Sequence, residues 1–213
     1  MGDLLDFIKE HRVVFIYRGM RPEECLEVSL ELAEVGIRLF EVTMNSPDTA
    51  KSIELLKTEL GIDALIGAGT VIKTAQVNLA ARSGASYIIS PNANPEVIYR
   101  TKQQGLTSIA GAFTPTEIMG AWEAGADMVK VFPINVVGPE YIAQLRGPLD
   151  QIPFMATGGI RLEMVKDLFQ AGTDAIGVGV HLLGKDLMKL KDWNTLRNRA
   201  AEFVEAAGVR TSR

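Results

Sequence analysis

One lysine lies in the middle of an apolar, strand-like run. Lys130 is preceded by Met128 and Val129 and followed by Val131 and Phe132. Removing an ammonium ion from water is costly, so a lysine buried in such a run tends to lose its proton. The free amine is then a nucleophile toward carbonyl carbons. The run is equally compatible with a strand lysine whose ammonium group reaches solvent at the end of a sheet.

A carboxylate occupies the same position as Lys130 within a repeated sequence unit. Glu41 follows Gly36 by five residues, and Lys130 follows Gly125 by five residues. Both are therefore expected late in their strands, toward the C-terminal ends at which barrel enzymes carry their catalytic residues. If both side chains point inward, a proton carrier and an amine nucleophile share a small, poorly solvated space. The alternative is that one or both point outward to the helices or lie at the rim.

The repeated unit is an amphipathic helix, a glycine, a short polar step and a compact apolar run. Glycine in this place typically ends a helix, and runs that are apolar on both faces are typical of buried parallel strands. The repeats and two further apolar runs predict eight strands at roughly 20–25-residue spacing, which is the count of a (β/α)8 TIM barrel. The predicted strands are 13–17, 39–43, 64–67, 87–90, 107–110, 128–131, 153–156 and 175–178.

No linker or low-complexity segment divides the chain, so we expect a single domain over residues 1–213, with the barrel proper at about 13–183. A short helix at 4–11 and a longer one at about 187–207 flank the barrel. The competing fold is an open, doubly wound sheet. The first strand–helix turn, residues 18–22, lacks the G-x-G-x-x-G pattern of dinucleotide-binding sheets, which favours the barrel.

Small and polar residues follow several predicted strands, where a barrel would place them at its mouth. Thr70, after the third strand, is expected either to bind a substrate carboxylate or to cap the next helix. Glycine pairs end the seventh and eighth strands, at 158–159 and 177–179, and each precedes a helical segment. Such pairs bind anions in many barrels through backbone N–H groups. Arg18, beside the eighth strand in a closed barrel, either adds a positive charge to this site or is an exposed surface arginine.

Composition and charge limit the class of protein. The net charge is −4 and no basic run occurs, so nucleic acid is not an expected partner. The acidic N-terminus and the lack of an apolar run of about 18 residues predict neither a signal peptide nor a membrane helix. The single Cys25 excludes an internal disulfide and is expected to be a buried thiol. We therefore expect a soluble cytoplasmic protein.

Two further patterns limit the chemistry. His11 and His181 are far apart, and neither HExxH nor a Cys/His ligand spacing occurs, so a mechanism without metal or cofactor is favoured. Thr114 with Pro115 and Glu117 predicts a capping box, to which we assign no chemical role.

Five segments follow one another in the order and spacing of a known family. They are Glu41-Val42-Thr43, Ile66 to Val71, Ser90-Pro91, Val129 to Pro133 and Thr157-Gly158-Gly159. The sequence resembles the 2-keto-3-deoxy-6-phosphogluconate (KDPG) and 4-hydroxy-2-oxoglutarate (KHG) aldolases from about residue 13 to residue 183. The resemblance implies a class I, Schiff-base aldolase that yields pyruvate and an aldehyde (glyceraldehyde 3-phosphate or glyoxylate) from a small-molecule 2-keto acid. It also implies a homotrimer.

The resemblance assigns roles to individual residues. Lys130 resembles the Schiff-base lysine and Glu41 the proton-shuttling carboxylate. Thr70 and Pro91 resemble the pocket around the pyruvyl carboxylate. The remaining positions expected around the substrate or its phosphate are Arg18, Thr43, Asn45, Phe132, Thr157, Gly158, Gly159, Gly179 and Val180.

Three positions bear on the choice of substrate. Some members carry arginine where Asn45 stands, and Asn45 is closer to the 2-keto-3-deoxy-6-phosphogalactonate (KDPGal) branch. Thr157 instead resembles the phosphogluconate branch. Val180 replaces a phosphate-binding serine, so an unphosphorylated 2-keto-3-deoxy acid is an alternative substrate. From other classes, a non-catalytic barrel that binds a phosphorylated metabolite and a metal-dependent aldolase or isomerase barrel are the competing hypotheses.

Overall fold

Eight parallel strands close into a barrel in chain order. The computed structural model describes residues 4–209, except for the side chain of Lys185. Each strand pairs with its neighbours in the sequence, and β8 pairs with β1 to complete the ring. The strands are β1 (Val13–Tyr17), β2 (Leu39–Thr43), β3 (Leu65–Gly69), β4 (Tyr87–Ile89), β5 (Thr107–Ala112), β6 (Met128–Val131), β7 (Phe154–Thr157) and β8 (Ala175–Gly179). The predicted (β/α)8 barrel is confirmed.

Helices surround the ring and flank it at both ends of the chain. They are α1 (Leu4–His11), α2 (Pro22–Glu34), α3 (Thr49–Leu60), α4 (Thr74–Arg82), α5 (Pro95–Gln103), α6 (Pro115–Glu123), α7 (Pro139–Arg146), α8 (Leu162–Gln170), α9 (Lys185–Leu190) and α10 (Trp193–Ala206). Short 3-10 segments follow β6 (Ile134–Val136) and β8 (Val180–Leu183). No helix between residues 4 and 209 is long and apolar enough to cross a membrane.

The strands separate two apolar layers because successive side chains of a strand point to opposite faces. One layer packs between the ring and the helices. The other fills the ring, and it consists of Ile8, Val14, Leu39, Tyr87, Ile89, Ile109, Met128, Met155 and Ala175. Ile8 comes from α1, which therefore covers the N-terminal end of the barrel. The C-terminal end is left as the accessible mouth.

The predicted closing helix differs from the observed structure. The sequence predicts one helix over about 187–207, but the chain breaks between α9 and α10. Lys191 has a left-handed backbone (φ 52°), and Asp192 then begins a new helix by accepting a hydrogen bond from the Thr195 N–H at 3.2 Å. An aspartate at a helix N-terminus satisfies a donor that the helix itself leaves unpaired.

Gly177 lies within β8, as the predicted strand 175–178 has it, but Gly179 differs from the prediction. Gly179 is the last residue of β8 with an extended backbone, not part of a turn after the strand. A Cβ at position 177 would press on Thr157 and Ile16 inside the ring. We therefore attribute Gly177 to the close packing of the barrel interior.

Candidate active site

Lys130 lies inside the barrel. It follows Met128 by two residues on β6 and so shares its inward face, and its register partners are Gly111 and Met155. Only 6% of the residue is exposed. Burial is the main cause that lowers the pKa of Lys130, and the charge of Arg18 adds to this effect. The ammonium nitrogen lies 5.1 Å from the centre of the Phe132 ring. The amine is thus biased toward its uncharged, nucleophilic form.

Glu41 faces the same interior from the opposite side of the ring. It follows Leu39 by two residues on β2 and is 1% exposed. Within the described chain, neither carboxylate oxygen has a hydrogen-bond partner. Burial raises the pKa of Glu41, while the charges of Lys130 and Arg18 lower it. A buried carboxylate with both oxygens free can accept a hydrogen bond or hold a proton for a bound substrate.

The amine and the carboxylate interact through space without an ion pair. Each charge alters the pKa of the other group. Glu41 and Lys130 do not form an ion pair, since no N–O distance of 4.0 Å or less joins them among the described residues. The Lys130 nitrogen and the Glu41 carboxylate oxygens are therefore more than 4.0 Å apart. The sequence-based expectation that both side chains point inward agrees with the structure.

Arg18 lies at the rim of the mouth, directly after β1. Its guanidinium donates to Asn45 Oδ1 at 3.2 Å and to Thr70 Oγ1 at 3.3 Å. Thr70 does not cap a helix, because α4 begins only at Thr74 with Lys73 before it. Thr70 also has a left-handed backbone (φ 57°), which is rare for a β-branched residue and costs conformational energy. The structure thus brings together three residues that follow three successive strands.

The opposite rim is formed by the ends of β6 and β7. The Thr157 hydroxyl is buried and has no hydrogen-bond partner in the described chain. Gly158 and Gly159 follow with φ values of 102° and 62°, so both need the left-handed conformation that glycine tolerates. A Cβ at 158 would press on Phe132, which is 38% exposed at the mouth. Thr157 and the glycine turn therefore face the mouth, as the sequence predicts.

Three other predicted positions lie at or after the C-terminal ends of strands. Thr43 is buried and its hydroxyl pairs with that of Ser46 at 2.8 Å. Pro91 lies against Gly111, where a Cβ would overlap the Pro91 carbonyl. Val180 is buried and begins the 3-10 segment after β8.

A cleft of about 370 Å³ opens beside the mouth, between the end of β1, helix α2 and the segment after β8. Arg18, Glu24 and Glu27 supply charged groups to its wall, and Val180 and Trp193 supply apolar ones. Neither Lys130 nor Glu41 lines it. Across the described part of the chain, no group of three or more His, Cys, Asp or Glu side chains is placed to hold a metal ion.

Comparison with known protein families identifies the family of this chain. The sequence profile of KDPG and KHG aldolase matches residues 5–198, which is most of the chain. The chain belongs to the KDPG and KHG aldolase family. The resemblance stated from the sequence is thereby confirmed, and the protein is an aldolase, which is a lyase.

Named relatives of this aldolase cover nearly its whole length. The 2-dehydro-3-deoxy-6-phosphogalactonate aldolase of Escherichia coli K12 is 37% identical over 196 residues, 91% of this chain and 93% of that one. A solved Legionella pneumophila KDPG aldolase, with pyruvate captured as a covalent carbinolamine, is 25% identical with a TM-score of 0.83, and the match covers 96% of this chain and 97% of that one. A cube-shaped cage designed by fusing symmetric oligomeric domains is 36% identical with a TM-score of 0.84, over 92% of this chain and 71% of that one.

Two glycines of β3, Gly67 and Gly69, were not identified from the sequence as residues that shape the site of this aldolase. A Cβ at Gly69 would overlap Glu41 Oε1, so β3 must carry glycine beside the carboxylate. A Cβ at Gly67 would overlap the ring of Tyr87, which lies inside the barrel and donates to the Phe40 carbonyl at 2.8 Å. The alternation of glycines in Gly67-Ala68-Gly69 was the available signal, because it removes side chains from one face of a strand.

Proposed function

We propose that this aldolase uses Lys130 as a Schiff-base nucleophile and Glu41 as the proton carrier. The substrate is a 2-keto-3-deoxy-6-phospho sugar acid, which is cleaved to pyruvate and an aldehyde. The observation that carries the proposal is the buried Lys130 amine facing the buried, unpartnered Glu41 carboxylate across one interior space. The covalent pyruvate adduct in the Legionella relative supports an imine mechanism for the family fold.

The residue types meet the chemical demands of the reaction. The neutral Lys130 amine adds to the C2 ketone, and the resulting carbinolamine takes up one proton and loses water to give a protonated imine. This cation accepts the electron pair of the C3–C4 bond, so the bond breaks to an enamine and the aldehyde leaves. Glu41 takes the proton of the C4 hydroxyl at this step and returns a proton to C3 of the enamine. Water then hydrolyses the protonated imine, which releases pyruvate and one proton and restores the neutral amine.

The rim residues are proposed to hold the two ends of the substrate. The unpartnered Thr157 hydroxyl lies inside the ring and is placed to hydrogen-bond to a substrate hydroxyl. The N–H groups of the Gly158–Gly159 turn are proposed to bind the distal end, with Phe132, Gly179 and Val180 beside it. The E. coli relative acts on a phosphogalactonate derivative, which supports a phosphorylated sugar acid here.

We further propose that the protein works as a homotrimer in the cytoplasm. The similarity to a chain used in a cage of symmetric oligomeric domains supports an oligomer. A single cysteine, buried and with its pKa raised to about 12 by burial, fits a reducing compartment. Sedimentation equilibrium tests the number of subunits.

The covalent step is tested by treating the protein with pyruvate and borohydride. Reduction of the imine is expected to add mass at Lys130, and the substitution Lys130→Met is expected to abolish the adduct. Lys51→Met is the matched control, because Lys51 is exposed and pairs only with Glu23 on the surface. An unmodified wild-type protein, or an adduct that survives Lys130→Met, would overturn the proposal.

The substrate is tested by a coupled assay of pyruvate release. KDPG, KDPGal, KHG and an unphosphorylated 2-keto-3-deoxy acid are compared at equal concentrations. The highest kcat/KM is expected for a phosphorylated C6 acid. Tight binding of these acids without pyruvate release would favour a metabolite-binding barrel instead.

A further inference from the structure

We infer that Tyr87 is a positioning residue for Glu41, the proposed proton carrier, and that it acts through the backbone of β2. The inference rests on the proposed Schiff-base function and adds a residue that works from beneath the site. Loss of its hydroxyl is expected to slow the proton transfers that Glu41 carries out and to leave formation of the imine on Lys130 intact.

The side chain of Tyr87 crosses one strand to reach the next. Glu41, Gly67 and Tyr87 are register partners on β2, β3 and β4, so they lie in one row across three neighbouring strands. Gly67 has no side chain, and a Cβ there would come within 2.0 Å of the Tyr87 ring. The ring therefore takes the place of the missing side chain, and its hydroxyl donates to the Phe40 carbonyl at 2.8 Å. Tyr87 thus holds the peptide group that joins Phe40 to Glu41.

The Glu41 carboxylate depends on such indirect support. Within residues 4–209 neither of its oxygens has a hydrogen-bond partner, so its position is set by its own backbone and by the walls around it. A donor placed on the carboxylate itself would favour the charged form, lower the pKa of Glu41 and occupy an oxygen that the reaction needs. A hydrogen bond to the preceding peptide group fixes the residue and leaves both oxygens free.

The environment of Tyr87 keeps its hydroxyl a donor. The residue is 0% exposed and belongs to the apolar layer that fills the ring, together with Leu39 and Ile89. Burial raises the pKa of the phenol well above its ordinary value, and the charge of Glu41 raises it further. The phenol is therefore protonated wherever the enzyme can work, and its interaction with Glu41 places it near the carboxylate.

Hydrogen exchange at C3 of pyruvate tests this role, because exchange needs both the imine and a proton carrier. NMR follows the loss of the methyl proton signal in deuterated water, while borohydride trapping reports the imine alone. Tyr87→Phe keeps the ring and removes the hydroxyl. We expect the exchange rate to fall about 10-fold, less than the roughly 100-fold cost of a displacement of about 1 Å. The pyruvate concentration for half-maximal trapping is expected to stay unchanged.

Tyr17→Phe is the matched control. Tyr17 is also fully buried, and its hydroxyl forms one hydrogen bond, with Ser29 at 2.6 Å. It belongs to the layer between the ring and the helices, where it stacks on the Phe40 ring at 6.2 Å. The substitution therefore removes a comparable hydrogen bond on the other face of the same strand and is expected to leave the exchange rate unchanged. Thermal denaturation shows whether both variants are folded at the assay temperature.

Gly67→Ala disturbs the same contact from β3. The new methyl group overlaps the Tyr87 ring and moves it away from Phe40, so the same selective loss of exchange is expected. The proposal is overturned if Tyr87→Phe exchanges at the wild-type rate, if Tyr17→Phe loses exchange equally, or if trapping falls as much as exchange does. A wild-type protein that forms no adduct would refute the Schiff-base function itself, and one that traps pyruvate without exchange would refute the role of Glu41.

Discussion

Burial acts in opposite directions on the two ionisable groups inside the barrel. It lowers the pKa of Lys130 toward the free amine and raises the pKa of Glu41 toward the protonated acid. The first effect favours the attack on a ketone, and the second favours a carboxyl that can return a proton. Each charge partly offsets the shift of its neighbour, so removing one group changes the protonation of the other.

The pH dependence of adduct formation follows from this coupling. The Glu41 carboxylate stabilises the ammonium form and therefore raises the pKa of Lys130. In Glu41→Gln that contribution is lost, the pKa of Lys130 falls, and the free amine persists to lower pH. We expect the acid limb of the pH profile for pyruvate trapping to move to lower pH, although the maximal rate decreases. Glu54→Gln, at an exposed position of α3, should leave the profile in place. A limb displaced toward higher pH would contradict the assigned coupling.

Gly69 is expected to be as important for the reaction rate as an ionisable group, because it leaves room for the Glu41 carboxylate. In Gly69→Ala the new methyl group overlaps the Glu41 carboxylate, which must then shift from its position. A displacement of about 1 Å can cost on the order of 100-fold in rate, so we expect kcat to fall by roughly that factor. Gly120→Ala is the control, because Gly120 is exposed on α6 and a Cβ there meets no atom within 4 Å. Steady-state kinetics of both variants provides the comparison, and full activity in Gly69→Ala would show that Glu41 is not held where the reaction needs it.

At the scale of the element, α5, α6 and α10 each begin with a side chain that accepts a hydrogen bond from the first turn of the helix. The predicted capping box of α6 is confirmed: the Thr114 N–H donates to Glu117 Oε2 at 2.8 Å, and the Glu117 N–H donates to Thr114 Oγ1 at 3.4 Å. Such local signals fix where a helix begins after a strand, and so they determine which residues remain free at the mouth.

Loss of this cap is expected to reduce stability without affecting catalysis. Thr114→Ala removes the acceptor for the Glu117 N–H, and we expect the free energy of unfolding to fall by about 1 kcal/mol. Thr116→Ala, at an exposed position in the first turn of the same helix, should change the free energy of unfolding little. Urea denaturation measures both variants, and equal stabilities would mean that the capping box contributes nothing.

At the scale of the whole molecule, the two ends of the barrel have different tasks. The mouth holds Lys130, Glu41 and Arg18, while the N-terminal end is closed by α1 and by contacts among the loops that enter the strands. Arg146 is central there: it donates to the carbonyls of Gly172 and Ile152, each at 2.7 Å, and forms an ion pair with Asp174. Barrels commonly divide stability and function between the two ends in this way.

Removing Arg146 should therefore destabilise the fold and leave the chemistry intact. Arg146→Met removes this donor from the carbonyls of Gly172 and Ile152 and leaves the Asp174 carboxylate with the Phe154 N–H alone. We expect a loss on the order of 2 kcal/mol in the free energy of unfolding. Arg161→Met is the matched control, because Arg161 is mostly exposed and lies 3.9 Å from its partner Glu163. The kcat of the folded Arg146→Met enzyme should match that of wild type. A large fall in kcat with unchanged stability would contradict the division of tasks.

Much of this architecture is determined by local sequence. Gly36 and Gly125 end helices, and the apolar runs after them form strands, because left-handed turns and double-sided burial leave few alternatives. The equal spacing from these glycines to Glu41 and Lys130 predicts their similar depth. The break between α9 and α10 was missed, since a strong helical pattern on both sides concealed the start signal at Asp192.

Closure of the ring decided what the sequence left open. Whether Lys130 points inward, and whether Thr70 contacts Arg18 or caps a helix, depends on strand register and on contacts between distant segments. The direction of Arg18 depended likewise on Asn45, which is 27 residues away. Local composition sets backbone propensity over a few residues. Side-chain direction and pKa instead depend on neighbours that only the tertiary fold brings together.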